Sequence, residues 1–225
     1  MFKKHKFLFL WLCLDGLTVI LHIALSGITG FFDLDKEQNL PTVYQSFKLI
    51  LAGNMVLFIA WLELSVLKTR DKARLWFMAI LAVLFLYIGL DELGQLHETV
   101  EFYVQEVSPG FAFFVVETAK SLGIKSAVWL LYYAPFILAS IPFFIYLIYY
   151  SFKVCGKKTY LIVFMTLLFF LVVCLEWIGS AGVYWGWHYQ VIMIAEESAE
   201  KVGASLGLYY VWLILKETKT KLEKK

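Results

Sequence analysis

Six apolar stretches, each long enough to cross a bilayer, decide what this chain can fold into. A crossing takes about 20 largely apolar residues. Runs of that kind cover approximately residues 7–29, 43–67, 75–96, 126–150, 159–183 and 189–215. In hydrocarbon every backbone N–H and C=O must find its partner within the segment, so open-ended runs are helices. The expected fold is therefore all-α: a polytopic membrane protein, one six-transmembrane-helix bundle spanning residues 1–225 as a single domain. Composition agrees, with 61% hydrophobic and 17% charged residues and a mean hydropathy of +0.74. Soluble domains run near half apolar and about a quarter charged. A disordered chain, a coiled coil, a secreted disulfide scaffold and an ordinary cytosolic enzyme are all excluded. Cys13, Cys155 and Cys174 form no C-x-x-C pair and read as buried or reduced thiols.

Charge sets the orientation. The stretches 1–6, 68–74, 151–158 and 216–225 hold 15 of the 20 Lys and Arg residues. The excess of positive charge on cytoplasmic loops places both termini in the cytoplasm, within the cell (inner) membrane. The first stretch follows Lys3, Lys4 and Lys6 as a signal peptide would, but its length, Asp15 and His22 point to a retained helix. The other side is expected to hold Lys36, Lys48, Lys120, Lys125 and Lys201, with an aromatic belt of Tyr184, Trp185, Trp187 and Tyr189. Thirteen of the 18 acidic residues also fall in the outer half. Acids contribute little to topology, so this asymmetry needs another cause.

Ionisable groups inside a span are costly and point to function. At 1.5 Å rise per residue, His22, Asn54, Asp91, Glu176, Glu197 and Glu200 lie roughly 20–27 Å from the cytoplasmic ends of their spans. Helical spacing brings Asp91, Gln95 and Glu98 to one face, Glu176 and Ser180 to another, and Glu196, Glu197 and Glu200 to a third. Gly203 and Gly207 continue the last face as a pair that lets another helix approach. The site is expected between the third, fifth and sixth spans, roofed by the 99–125 connection. A short interfacial helix is expected there over residues 111–122, after the Pro109–Gly110 turn signal. Several polar groups have plainer readings. Asp15 can pair with Glu63 or meet a lysine, Asn54 and Ser180 read as interhelical hydrogen-bonding groups, and Glu92, Glu101 and Glu106 face water at the outer rim.

Two segments stand out: Asp91-Glu92-Leu-Gly-Gln95-Leu-His97-Glu98, and Glu196-Glu197-Ser-Ala-Glu200-Lys-Val-Gly203. With Glu176 on the helix between, they resemble a family of uncharacterised bacterial multipass membrane proteins carrying D-E-x4-H-E and E-E-x-x-E-x-x-G segments. The resemblance covers roughly residues 75–215 and implies no particular activity.

Converging carboxylates and imidazoles must share protons, meet a cation or sit in water. Glu197 and Glu200 have the i, i+3 spacing that presents metal ligands from bundle helices. With His97, Glu176 and His22 they form the candidate ligand set for a divalent metal. Oxygen-rich ligands with one or two imidazoles suit zinc, manganese or iron. Glu98 and Asp91 are the candidate catalytic carboxylates, Glu98 acting as base beside a metal-bound water. Three function classes follow. One is a metal-dependent hydrolase or lipid-modifying enzyme acting on a lipid or lipid-linked substrate, favoured by the mixed, one-sided constellation. The second is a cation- or proton-coupled small transporter. The third is a non-catalytic membrane subunit or sensor. Membrane lipids are the expected partners, and nucleic acid is not.

Overall fold

The computed structural model describes all residues except 1–4, 26, 35–38, 70, 125–127, 181–186 and 225; the side chains of residues 98, 154, 155, 187 and 188 also lie outside the described set. The belt positions Tyr184 and Trp185 and the side chain of Trp187 fall there. The described residues form eight α-helices: α1 (Lys6–Leu25), α2 (Leu40–Ser65), α3 (Lys72–Gly94), α4 (Leu96–Val107), α5 (Pro109–Ser121), α6 (Trp129–Cys155), α7 (Thr159–Ser180) and α8 (Trp187–Glu223). Short 3-10 turns lie at Gly30–Phe32 and Gly156–Lys158.

Among the described residues, five segments are long and apolar enough to cross a membrane: α1, α2, α3, Trp129–Lys153 of α6, and Gly156–Ser180 including α7. Their outward side chains stay apolar, with Ile20, Trp76, Val83, Phe136 and Leu167 each at least 60% exposed. Water would penalise such a surface, and hydrocarbon would not. The architecture is compatible with a membrane location.

The sixth apolar stretch belongs to α8, a 37-residue helix too polar to join those five by composition. It sits at the centre instead. Helices α1, α2 and α7 pack directly on α8, and α2 pairs with α3 as an antiparallel hairpin. Ala204, Ser205, Leu208, Tyr209, Tyr210 and Val211 of α8 are completely buried. The core is built where α8 meets Leu49, Ala52 and Val56 of α2, Phe77, Leu81 and Phe85 of α3, and Leu161 and Met165 of α7. A helix covered on all sides by neighbours can carry polar residues that a lipid-facing helix could not.

Gly207 is what lets α8 come this close. A Cβ there would lie 2.7 Å from the Phe85 ring and 2.9 Å from Met165 Sδ. Overfilling a packed core costs about 1–3 kcal/mol. Gly207→Ala is expected to lower stability by that amount, read as the midpoint of thermal unfolding in detergent; an unchanged midpoint would mean the helices are not held in this contact.

The connection after α3 departs from the expected single helix. The chain breaks at Gln95, whose φ of 52° is left-handed, and α4 starts at Leu96. Asp91, Gln95 and Glu98 therefore do not form one helical stripe. The expected helix over residues 111–122 is present as α5, with Pro109 in its first turn. There the missing proline N–H leaves no unpaired helical bond. Cys13 and Cys174 are free and exposed rather than buried.

Candidate functional site

Where α3 and α7 end and α6 and α8 begin, the helices enclose a cavity of about 570 Å³. Its wall includes Asp91 and Glu92 from α3, His97 from α4, Glu176 from α7, and Glu196, Glu197 and Glu200 from α8. Neither Lys nor Arg is among its described lining residues. Helix α6 supplies an aromatic wall through Trp129, Tyr133, Phe136 and Phe144. With Ser140 these positions recur every three to four residues, one face of a helix.

The break at Gln95 folds α4 back so that His97 lies over Asp91. The His97 backbone N–H donates to Asp91 Oδ1 at 2.9 Å, and His97 Nδ1 lies 3.2 Å from Asp91 Oδ2. Asp91 thus satisfies an N–H of the first turn of α4, where a negative charge is favoured. The imidazole also packs against Trp129, with ring centroids 4.7 Å apart. A carboxylate on Nδ1 orients a histidine and selects its tautomer.

Across the cavity the acids of α8 are each engaged differently. Glu196 lies beside Glu176 of α7. Two carboxyl groups side by side in this way form an anionic station between α7 and α8. Glu197 accepts from Lys201 one turn later. Glu200 Oε2 accepts from Gln45 Nε2 of α2 at 2.7 Å.

Behind Glu197 and Glu200 lies a second polar cluster. Lys48 Nζ donates to Asp15 Oδ1 at 2.6 Å, to the Lys201 carbonyl at 2.9 Å and to Ser205 Oγ at 3.2 Å. Ser205 Oγ donates to Asp15 Oδ2 at 2.6 Å, and Tyr44 OH donates to Asp15 Oδ1 at 2.9 Å. This ties α1, α2 and α8 together. At the opposite end of the bundle, Arg74 forms a two-pronged pair with Glu63, both bonds 2.6 Å, and Thr218 of α8 donates to Glu63 Oε1 at 3.2 Å.

The sequence-selected residues divide as follows. Asp91, His97, Glu176, Glu197 and Glu200 line the one cavity. Glu98 begins α4, but its side chain lies outside the described residues. His22 does not line the cavity. It is buried, and its Nδ1 accepts the Leu34 N–H at 3.0 Å, with Asp33 Oδ1 3.6 Å away. Its role there is to hold the chain that leaves α1. Among the described residues, no three His, Cys, Asp or Glu groups come together closely enough to hold a metal ion. Of the expected ligand set, His97, Glu176, Glu197 and Glu200 are spread along a wall rather than gathered at a point, and His22 lies off that wall.

Other expectations change place. Glu92 lines the cavity instead of standing at the rim. Asn54 is exposed and donates to Ile50 O of its own helix, so it joins no neighbour. Lys48 and Lys201, counted as outer-side cations, are buried at 0% and 1% exposure. Asp15 meets Lys48 and Glu63 meets Arg74, rather than the two acids meeting each other. Sequence reasoning placed Glu196 on the acidic face of the last span but left it out of the candidate ligand set, and it missed Gln45, the partner of Glu200. Nothing in the sequence marked Gln45.

The chain matches no curated protein and no solved structure. Residues 7–214 match the model of the family described as Domain of unknown function (DUF8692). With nearly the whole chain inside that match, the protein belongs to this uncharacterised family.

Proposed function

We propose that this protein is a six-span carrier of the inner membrane that takes up a cation from the non-cytoplasmic side in exchange for a proton. The carrying observation is the cavity wall: six carboxylate residues and one imidazole, with neither Lys nor Arg among the described lining residues. Charges of one sign in a low-dielectric cleft focus a field that concentrates ligands of the opposite sign. An anionic headgroup would be repelled. The neighbouring carboxyl groups of Glu176 and Glu196 are the ones that would carry the exchanged proton. A cation arriving between two carboxyl groups favours both being ionised, so a proton held there would be released.

The Lys- and Arg-rich connections support an orientation with both termini in the cytoplasm and the cavity at the outer end. Helix α8 serves as the sixth span. Its neighbours shield Lys201, Ser205 and Thr218 from lipid, which removes the main objection to a polar crossing helix.

In proteoliposomes with a trapped pH-sensitive dye, at least one cation from a panel of Na+, Ca2+ and aliphatic amines is expected to drive proton movement. Glu196→Gln should reduce the rate at least tenfold while the protein still inserts and elutes as wild type. If no cation moves protons beyond the signal of empty liposomes, the carrier reading is wrong.

A second reading rests on the Asp91–His97 pair. A histidine held by a carboxylate can act as general base toward water, as a hydrolase or lipid-modifying enzyme requires. Glu98 would stand beside it in sequence. Its signature is product formation from a membrane lipid extract, followed by mass spectrometry and abolished by His97→Ala.

A further inference from the structure

We propose that the cavity's ligand is a linear polyamine: an aliphatic chain whose separate ammonium groups pair with separate carboxylates while its methylenes lie on the aromatic wall. This rests on the cation-binding reading above and narrows it to one chemical class.

The first argument is how the negative charge is distributed. Six acidic residues on three helices face one cavity, yet no three described ligating groups converge on a common point. A calcium ion gathers six to eight oxygens at about 2.3–2.6 Å. The acids here do the reverse. Asp91 sits with His97, Glu176 with Glu196, Glu197 with Lys201 and Glu200 with Gln45. Charge laid out in stations matches a ligand with charge laid out along its length. The volume of about 570 Å³ is of small-molecule size, far beyond one inorganic ion.

The second argument is the wall between the stations. Tyr87, Trp129, Tyr133 and Phe136 line one side, and Phe169 and Phe170 another. Aromatic faces attract ammonium groups and cover methylenes, whereas they offer nothing to a hydrated metal ion.

Two buried oxygens at the site lack partners. Gln45 is 1% exposed, and its Oε1 is buried with no hydrogen-bond partner, although its Nε2 is bonded to Glu200. Thr166 Oγ1, on a residue lining the cavity, is likewise buried and unpaired. Buried polar atoms are rarely left unsatisfied. Thr166 lines the cavity and Gln45 is bonded to the cavity residue Glu200, so an ammonium entering there would bring the N–H donors that these oxygens lack. A quaternary ammonium has no N–H and could not serve them.

Isothermal titration of the detergent-purified protein tests this with spermidine, putrescine, tetraethylammonium, Ca2+ and Na+. Spermidine is expected to bind at least tenfold more tightly than tetraethylammonium, Ca2+ or Na+. Glu200→Gln and Asp91→Asn should each weaken spermidine about tenfold, and either variant suffices if the other fails to fold. Equal or tighter binding of tetraethylammonium, Ca2+ or Na+ overturns the polyamine assignment but leaves the cation-binding reading standing. Spermidine binding unchanged in a folded variant also overturns it, because the ligand would then sit elsewhere. If none of the cations binds, both fail.

Discussion

Lys48→Met is expected to destabilise the bundle by about 3–5 kcal/mol, the usual cost of removing one partner of a buried ion pair. Lys48 is fully buried and Asp15 is 4% exposed. Without the ammonium, Asp15 keeps only the hydroxyls of Ser205 and Tyr44 as donors. The Lys201 carbonyl and Ser205 Oγ each lose a donor as well. Asp15→Leu should be comparably damaging, because it leaves the ammonium without its counter-charge. The double replacement Asp15→Leu/Lys48→Met should cost less than the sum of the two, since no isolated charge remains. Chemical or thermal unfolding of the four proteins in one detergent gives the cycle. Additive effects would mean that the two side chains do not interact in the folded protein.

Arg74→Met is expected to cost a similar amount, about 3–5 kcal/mol, and to act at the other end of the molecule. Glu63 is fully buried, and both its oxygens are taken by the guanidinium. Thr218 alone is a weak substitute donor. The pair closes the α2–α3 hairpin against the C-terminal half of α8. Arg74→Lys should recover only part of the loss, because a lysine cannot grip both oxygens with a planar fork. Full stability in Arg74→Lys would show that charge alone, without the fork geometry, holds this end together. Both predictions concern residues outside the cavity wall, so ligand binding by any variant that still folds separates their structural role from the site.

Legibility in the sequence followed the physics of each feature. The five apolar spans could be read because a lipid-facing helix needs an unbroken apolar run, a local property of composition. The acids of the site were visible for the opposite reason, since a charge within such a run is conspicuous. The break at Gln95 was not visible. Between Asp91 and Glu98 a lone Gly94 is the sole helix-ending signal, too weak to set a break, and the left-handed residue is the glutamine after it. The continuous stripe expected of that segment therefore gave way to a bend, which still delivered His97 and Asp91 to the same place. His22 looked equivalent to the other intramembrane polar residues, and only the path of the chain after α1 showed that its ring is occupied by Leu34. Lys48 and Lys201 were assigned to the outer surface by charge counting, which cannot tell a lysine at the end of a span from one turned inward.

Sequence alone thus determined that the protein is helical, that it suits a membrane, and that its acids gather toward one end. Each of these follows from hydrophobicity and charge summed over a single segment. Tertiary structure alone decided that α8 is the central helix, that Glu196 meets Glu176, and that the buried lysine of α2 faces the aspartate of α1. Those outcomes depend on which helix faces which and at what rotation. Such choices are set by interlocking side chains from segments far apart in the chain, so no single stretch encodes them.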